Sequence, residues 1–133
     1  MMTAEQVRTV LEELSPTQEK VDRAVQMAIE IVHPSRVILF GSWPRGEAQW
    51  DSDLDMAVLV SNERRMEIGE LRHKLSRALS KIPMSIDLIL ASEIYAAEFF
   101  DSINSVYYRI LHQGEVVYDN RSGTTGSGSA TQS

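Results

Sequence analysis

Two aspartates one residue apart, Asp53 and Asp55, open the apolar run DLDMAVLV at residues 53–60, and an earlier apolar run ends in Gly41-Ser42. On an extended strand, residues i and i+2 share a face, so these carboxylates project together, about 7 Å apart. Like charges on one face repel, and an internal strand offers little water to screen them. A divalent cation removes that cost, because Mg²⁺ takes oxygen ligands, commonly a few carboxylates together with substrate phosphates. A third carboxylate, Asp87, lies in another apolar run, SIDLIL at residues 85–90. If that run pairs beside 53–60 with its Asp87 face aligned, the three aspartates converge. Such a cluster can hold two metals about 4 Å apart, the arrangement that stabilises attacking and leaving oxygens in phosphoryl transfer. The competing reading makes Asp53 and Asp55 solvated acids on an edge strand, and Asp87 a strand-end or capping acid.

Gly41 and Ser42 supply the other half of that chemistry. Glycine at a strand's end lets the backbone approach a ligand closely. The N–H groups that follow, with the Ser42 hydroxyl, can hold phosphate oxygens at a helix N-terminus, and Pro44 suits the first turn of a short helix there. Arg45 either adds a charge-assisted contact to the same phosphates or pairs with Glu47 or Asp51. Ser52 is a candidate nucleotide contact or the residue that fixes the turn into the strand. Trp43 reads as a half-buried anchor or as a base-stacking or partner-contacting ring. This is not a Walker A loop, since no Gly-Lys-Ser/Thr follows. His33, His73 and His112 have no second ligand at helical spacing, which leaves no imidazole metal site in view.

The elements that must position these groups are legible from periodicity. Thr3-Ala4-Glu5-Gln6 is a capping-box pattern opening a helix to about Leu14. Ser15-Pro16-Thr17-Gln18 repeats it, with Pro16 expected at the first helical position. Val21, Val25, Ala28 and Val32 then follow a helical stripe that stops at His33-Pro34. RVILF at 36–40 reads as a short strand, 53–60 as a second and 85–90 as a third. Ser61 to Arg65 reads as a loop, and Ile68, Leu71, Leu75, Leu79 and Ile82 mark an amphipathic helix ending before Pro83. Ser92 is expected to cap a helical region over about 93–112, broken near Asp101-Ser102 and ended by Gly114, with EVVYD at 115–119 as a terminal strand. Arg64, Arg65, Arg72, His73 and Lys74 give this stretch a basic side, usually a solvated face and sometimes a docking site. Tyr107-Tyr108 reads as core and surface aromatics. The order of elements predicts an α/β (α+β) domain, a small mixed β-sheet flanked by helices.

Length and composition bound the function classes. The 133 residues, 43% hydrophobic and 24% charged, predict one globular domain over 1–120. Residues 121–133, RSGTTGSGSATQS, carry no core residues and read as a disordered tail. With no cysteine, disulfides and thiolate metal sites are excluded, in keeping with a reducing cytoplasm. The net charge of −6 argues against sequence-independent nucleic-acid binding. It does not argue against a nucleotide carried by metal. No basic leader with an apolar segment opens the chain and no apolar run reaches membrane-span length, so a soluble intracellular protein is expected.

Gly41-Ser42, ten intervening residues and Asp53-Leu54-Asp55 resemble the signature of the DNA polymerase β-like nucleotidyltransferase superfamily. The fuller string, Gly41-Ser42-x-x-Arg45-Gly46 followed by Ser52-Asp53-x-Asp55, resembles its minimal nucleotidyltransferase (MNT) branch. The likeness covers about residues 20–118, with 1–34 as N-terminal helices and 36–119 as the catalytic core. It implies the nucleotidyltransferase fold, ATP as substrate and two Mg²⁺ ions. Asp53 and Asp55 would ligate metal, and Asp87 would complete the site and help activate the acceptor hydroxyl. Gly41 and Ser42 would hold the triphosphate. Larger relatives append acceptor-binding domains for which this chain has no room, and MNT proteins act as antitoxins paired with HEPN ribonuclease toxins. The resemblance therefore implies AMP transfer to a hydroxyl of such a toxin, in particular a tyrosine, in a hetero-oligomer or beside a homo-oligomer. A small hydroxylated acceptor such as an aminoglycoside, and a non-catalytic antitoxin acting by binding alone, are the alternatives. Trp43-Pro44 departs from the small residues usual at that point of the motif.

Overall fold

Four strands, Arg36–Phe40 (β1), Leu54–Val60 (β2), Ile86–Ser92 (β3) and Glu115–Asp119 (β4), form one mixed sheet in the order β3-β2-β1-β4. They are seen in the computed structural model, which describes residues 1–49, 51–98 and 113–121. β1 runs antiparallel to both β2 and β4, whereas β2 and β3 are parallel. A parallel pair needs a crossover. Here a 3₁₀ turn at Asn62–Glu67 and a helix at Ile68–Leu79 supply it.

The helices are Ala4–Glu13 (α1), Gln18–Val32 (α2), Ile68–Leu79 (α3) and Glu93–Glu98 (α4). One sheet face presents Val37, Leu39, Leu54, Met56, Val58, Val60 and Leu90 to the apolar stripes of α2 and α3. The other presents Ile38, Ala57, Leu59 and Ala91 to Ala96 of α4, with Phe40 and Ile89 packed alongside. β2 is therefore buried on both faces beyond Asp55, which is why its sequence is a continuous apolar run rather than an alternation. Asp55, the second residue of β2, is half-buried.

Several local expectations hold in detail. Thr3 and Gln6 exchange hydrogen bonds, 2.8 Å from the Thr3 N–H to Gln6 Oε1 and 3.1 Å from the Gln6 N–H to Thr3 Oγ1. His33 ends α2 in the left-handed region at φ 51°, the conformation that lets the chain turn into Pro34. The Ser92 hydroxyl accepts the Tyr95 N–H at 3.1 Å and caps α4.

Others are corrected. The cap of α2 is Thr17, not Ser15: Thr17 is extended and its side chain accepts the Lys20 N–H, so Pro16 lies ahead of the helix rather than at its first position. The Lys20 ammonium, bonded to the carbonyls of Glu13 and Ser15, holds that turn. Residues 62–67, read in part as loop, form the 3₁₀ turn, and α3 stops at Leu79, leaving Ile82 buried just beyond it. No helix follows Ser42; residues 41–46 form consecutive turns. The basic side near α3 is largely stitched to backbone carbonyls, with Arg64 on His33, Arg65 on Asn62 and Arg72 on Leu90. The expected helix beyond Glu98, its break at Asp101-Ser102, Tyr107-Tyr108, His112 and the tail from Ser122 lie outside the described residues. Among the described residues no helix is long and apolar enough to cross a membrane.

Candidate active site

The sheet register builds the site. Phe40 of β1 pairs with Asp55 of β2, and Asp55 pairs with Asp87 of β3, so one row across three strands reads Phe40, Asp55, Asp87. Directly paired residues point to the same face at close range, so the Asp55 and Asp87 side chains stand next to each other. Burial, then the negative charges of Asp87 and Asp53, push the Asp55 carboxyl above its ordinary value. Such a pair is held together at a cost unless a proton or a cation lies between its members.

Gly41 follows at the end of β1 with φ +79°, left-handed backbone that glycine adopts without strain. A Cβ at this position would collide with the Asp55 carboxylate. Glycine here therefore answers two demands, the turn out of β1 and the close approach of backbone to Asp55.

Phe40, Gly41, Arg45, Asp55, Asp87, Ile89 and Gln113 line a cavity of about 450 Å³, within the usual range for small-molecule sites. Four sequence candidates, Gly41, Arg45, Asp55 and Asp87, thus meet in one place. Asp53 does not join them: it precedes β2 and is exposed, and only its charge reaches Asp55. Ser42 and Ser52 are not among the lining residues. Ser52 ties the turn into β2 instead, accepting the Gln49 N–H at 2.8 Å and donating its own N–H to the Gln49 carbonyl. Arg45 reaches the cavity while its Nε lies 2.8 Å from Glu47 Oε1. Trp43 is the anchor of the loop, packed against the α2–α3 cluster.

The expected three-aspartate cage is not closed. Among the described residues, no three carboxylate or imidazole side chains gather closely enough to hold an ion by themselves. The donor set still fits Mg²⁺, which is commonly held by one or two carboxylates with substrate phosphates completing its shell. Hard oxygen donors paired at a like-charge cost are the chemistry such an ion relieves.

Phe40, Ile89 and Gln113 were not anticipated. Phe40 and Ile89 carry the same-face spacing as the aspartates of their row, but that becomes a site signal only once the strand order is known. Gln113 enters through the return of the chain into β4, for which the sequence offers no local sign.

Residues 19–122 match the family model described as polymerase beta, nucleotidyltransferase. A protein of Methanocaldococcus jannaschii named "Putative protein adenylyltransferase" is 33% identical over 60 residues, which are 45% of this chain and 58% of that protein's length. Among solved structures, one described as a "putative nucleotidyltransferase" from Sulfolobus solfataricus superposes with a TM-score of 0.46 at 20% identity, covering 77% of this chain and 86% of its own. Another, described as a toxin-antitoxin with AMP-PNP, superposes at 0.43 and 23% identity, covering 81% and 77%.

Proposed function

The chain belongs to the polymerase beta nucleotidyltransferase family, and from that premise we propose that it moves AMP from ATP to a hydroxyl of another protein. The observation that carries this reading is the Asp55–Asp87 pair, set side by side at strand ends against Gly41 in a cavity that Arg45 also lines. Asp55 and Asp87, with Asp53 at the strand's entry, would hold Mg²⁺. That ion, when bound, supplies positive charge where the phosphates and carboxylates would otherwise repel.

The chain's own residues divide the remaining work. Gly41 keeps the backbone low so that a triphosphate can lie against Asp55, and Arg45 offers guanidinium donors to its outer phosphates. Asp87 takes the proton of the acceptor hydroxyl as its oxygen bonds to the α-phosphorus. The bond from that phosphorus to the bridging oxygen breaks, and pyrophosphate leaves with the electron pair.

The acceptor is a toxin protein of the HEPN ribonuclease class, modified on tyrosine and thereby neutralised in the cytoplasm. The MNT-like string from Gly41 to Asp55 supports that choice, and the similarity to a relative named as a protein adenylyltransferase supports a protein acceptor. Intact mass spectrometry tests it: the candidate toxin is incubated with this chain, ATP and Mg²⁺, beside the Asp55→Asn variant. One adenylyl group added by the wild-type chain and none by the variant is the expected result. An unmodified toxin held in a stable complex overturns the transfer reading in favour of neutralisation by binding.

A further inference from the structure

Arg45 is the one guanidinium lining the cavity among the described residues, and it is already engaged by Glu47 at 2.8 Å. The loop is built to make that contact. The Glu47 N–H donates to the Ser42 carbonyl and the Gly46 N–H to the Trp43 carbonyl, both at 3.0 Å. Between the two side chains, Gly46 sits at φ +70°, and this left-handed residue reverses the chain so that Arg45 and Glu47, two apart, can meet. Trp43 anchors the loop to the core. The backbone is therefore fixed while the two side chains stay 51% and 64% exposed.

A carboxylate and a phosphate present the same kind of oxygen to a guanidinium. Glu47 thus occupies donors that an incoming triphosphate needs, and it is not itself among the residues lining the cavity. Ion pairs this exposed are worth up to about fivefold in an equilibrium constant, enough to orient Arg45 and little enough for a multiply charged ligand to displace. We propose that Glu47 is a built-in competitor of the substrate triphosphate: it holds Arg45 at the cavity mouth and releases it when the nucleotide enters. This rests on the reading of the cavity as a nucleoside triphosphate site.

The test is equilibrium binding of a non-hydrolysable ATP analogue, with Mg²⁺, to the full chain and three variants. Glu47→Gln keeps the side chain's length and the loop backbone but removes the competing charge. It should tighten binding about two- to fivefold and lower the KM for ATP by the same factor with kcat unchanged. Arg45→Ala should weaken binding, and adding Glu47→Gln to it should change nothing further, because the competitor then has nothing to hold. Circular dichroism confirms that the variants are folded. Unchanged or weaker binding by Glu47→Gln overturns the proposal, as does an equal gain in the Arg45→Ala background, which would reflect charge in general. Failure of the wild-type chain to bind the analogue would overturn the nucleotide reading itself and this inference with it.

Discussion

The two ends of the sheet treat charge in opposite ways. At the end where β1 begins and β3 finishes, Glu93 accepts the Ser35 hydroxyl at 2.7 Å and Arg36 through two nitrogens at 3.0 and 2.7 Å. Burial alone would raise the Glu93 carboxyl, but hydrogen bonds from Arg36 and Ser35, with the charges of Arg36 and Arg121, hold it below its ordinary value. At the other end, Asp55 faces Asp87 and its carboxyl is pushed up. The same strands carry both arrangements, so nothing in the backbone forbids a basic partner at the second end. A fold that satisfies Glu93 so fully yet sets two carboxylates side by side keeps the second pair at a cost to its own stability.

The contrast can be broken by mutation, and the largest effect belongs to the acid pair. Asp55→Asn should lower transfer about a hundred- to a thousandfold, since positioned electrostatic groups are worth that much in a transition state. Pyrophosphate release in single turnovers measures it, and activity within tenfold of wild type would remove the functional meaning of the pair. Gly41→Ala comes next. Its left-handed backbone and the collision with the Asp55 carboxylate predict a loss of about 1–3 kcal/mol in denaturant unfolding, together with weakened nucleotide binding.

The far end should respond in stability alone. Glu93→Ala strands the Arg36 guanidinium, whose side chain is only 13% exposed, and should cost about 2 kcal/mol. Transfer measured well below the melting temperature should stay at the wild-type rate. Lost activity with unchanged stability would collapse the distinction between the two ends.

Acidity sharpens the comparison, because the two carboxyls carry opposite signs. Glu93 has a lowered folded-state value, so its stabilisation is present above the unfolded value and lost as pH falls through the folded one, below about pH 4.5. Asp55 has a raised value, so its ionisation costs stability above that value, and the cost disappears on acidification. In buffer with EDTA, Asp55→Asn should melt above wild type at pH 7, with the difference shrinking towards acid. The deficit of Glu93→Gln should shrink only below about pH 4.5. The smallest effect is the shift with metal. Millimolar Mg²⁺ should raise the wild-type melting temperature at pH 7 by a few degrees through linkage and leave the Asp55→Asn/Asp87→Asn double variant unmoved.

The strands are readable from the order of residues alone, because RVILF and DLDMAVLV are short, β-branched or aliphatic runs bounded by turn residues. That order also determined which residues of each strand share a face, since that alternation has a fixed period of two. Gly41, Asp55 and Asp87 were legible as candidates for a different reason: glycine at a strand's end and acids within apolar runs conflict with local preference, and such conflicts point to candidate sites. Local hydrogen bonds that compete at short range were less legible. Thr17 rather than Ser15 caps α2, and the segment after Ser42 turns repeatedly instead of starting a helix.

Strand order and register, by contrast, emerge only when the whole chain is packed. These set Asp55 opposite Asp87 while leaving Asp53 outside the ladder, brought Gln113 to the cavity at the entry to β4, and joined Arg36 to Glu93 across 57 residues of chain. Pairing between distant strands depends on which faces two separate helices can bury at once. That is a property of the whole core, and no window of sequence contains it.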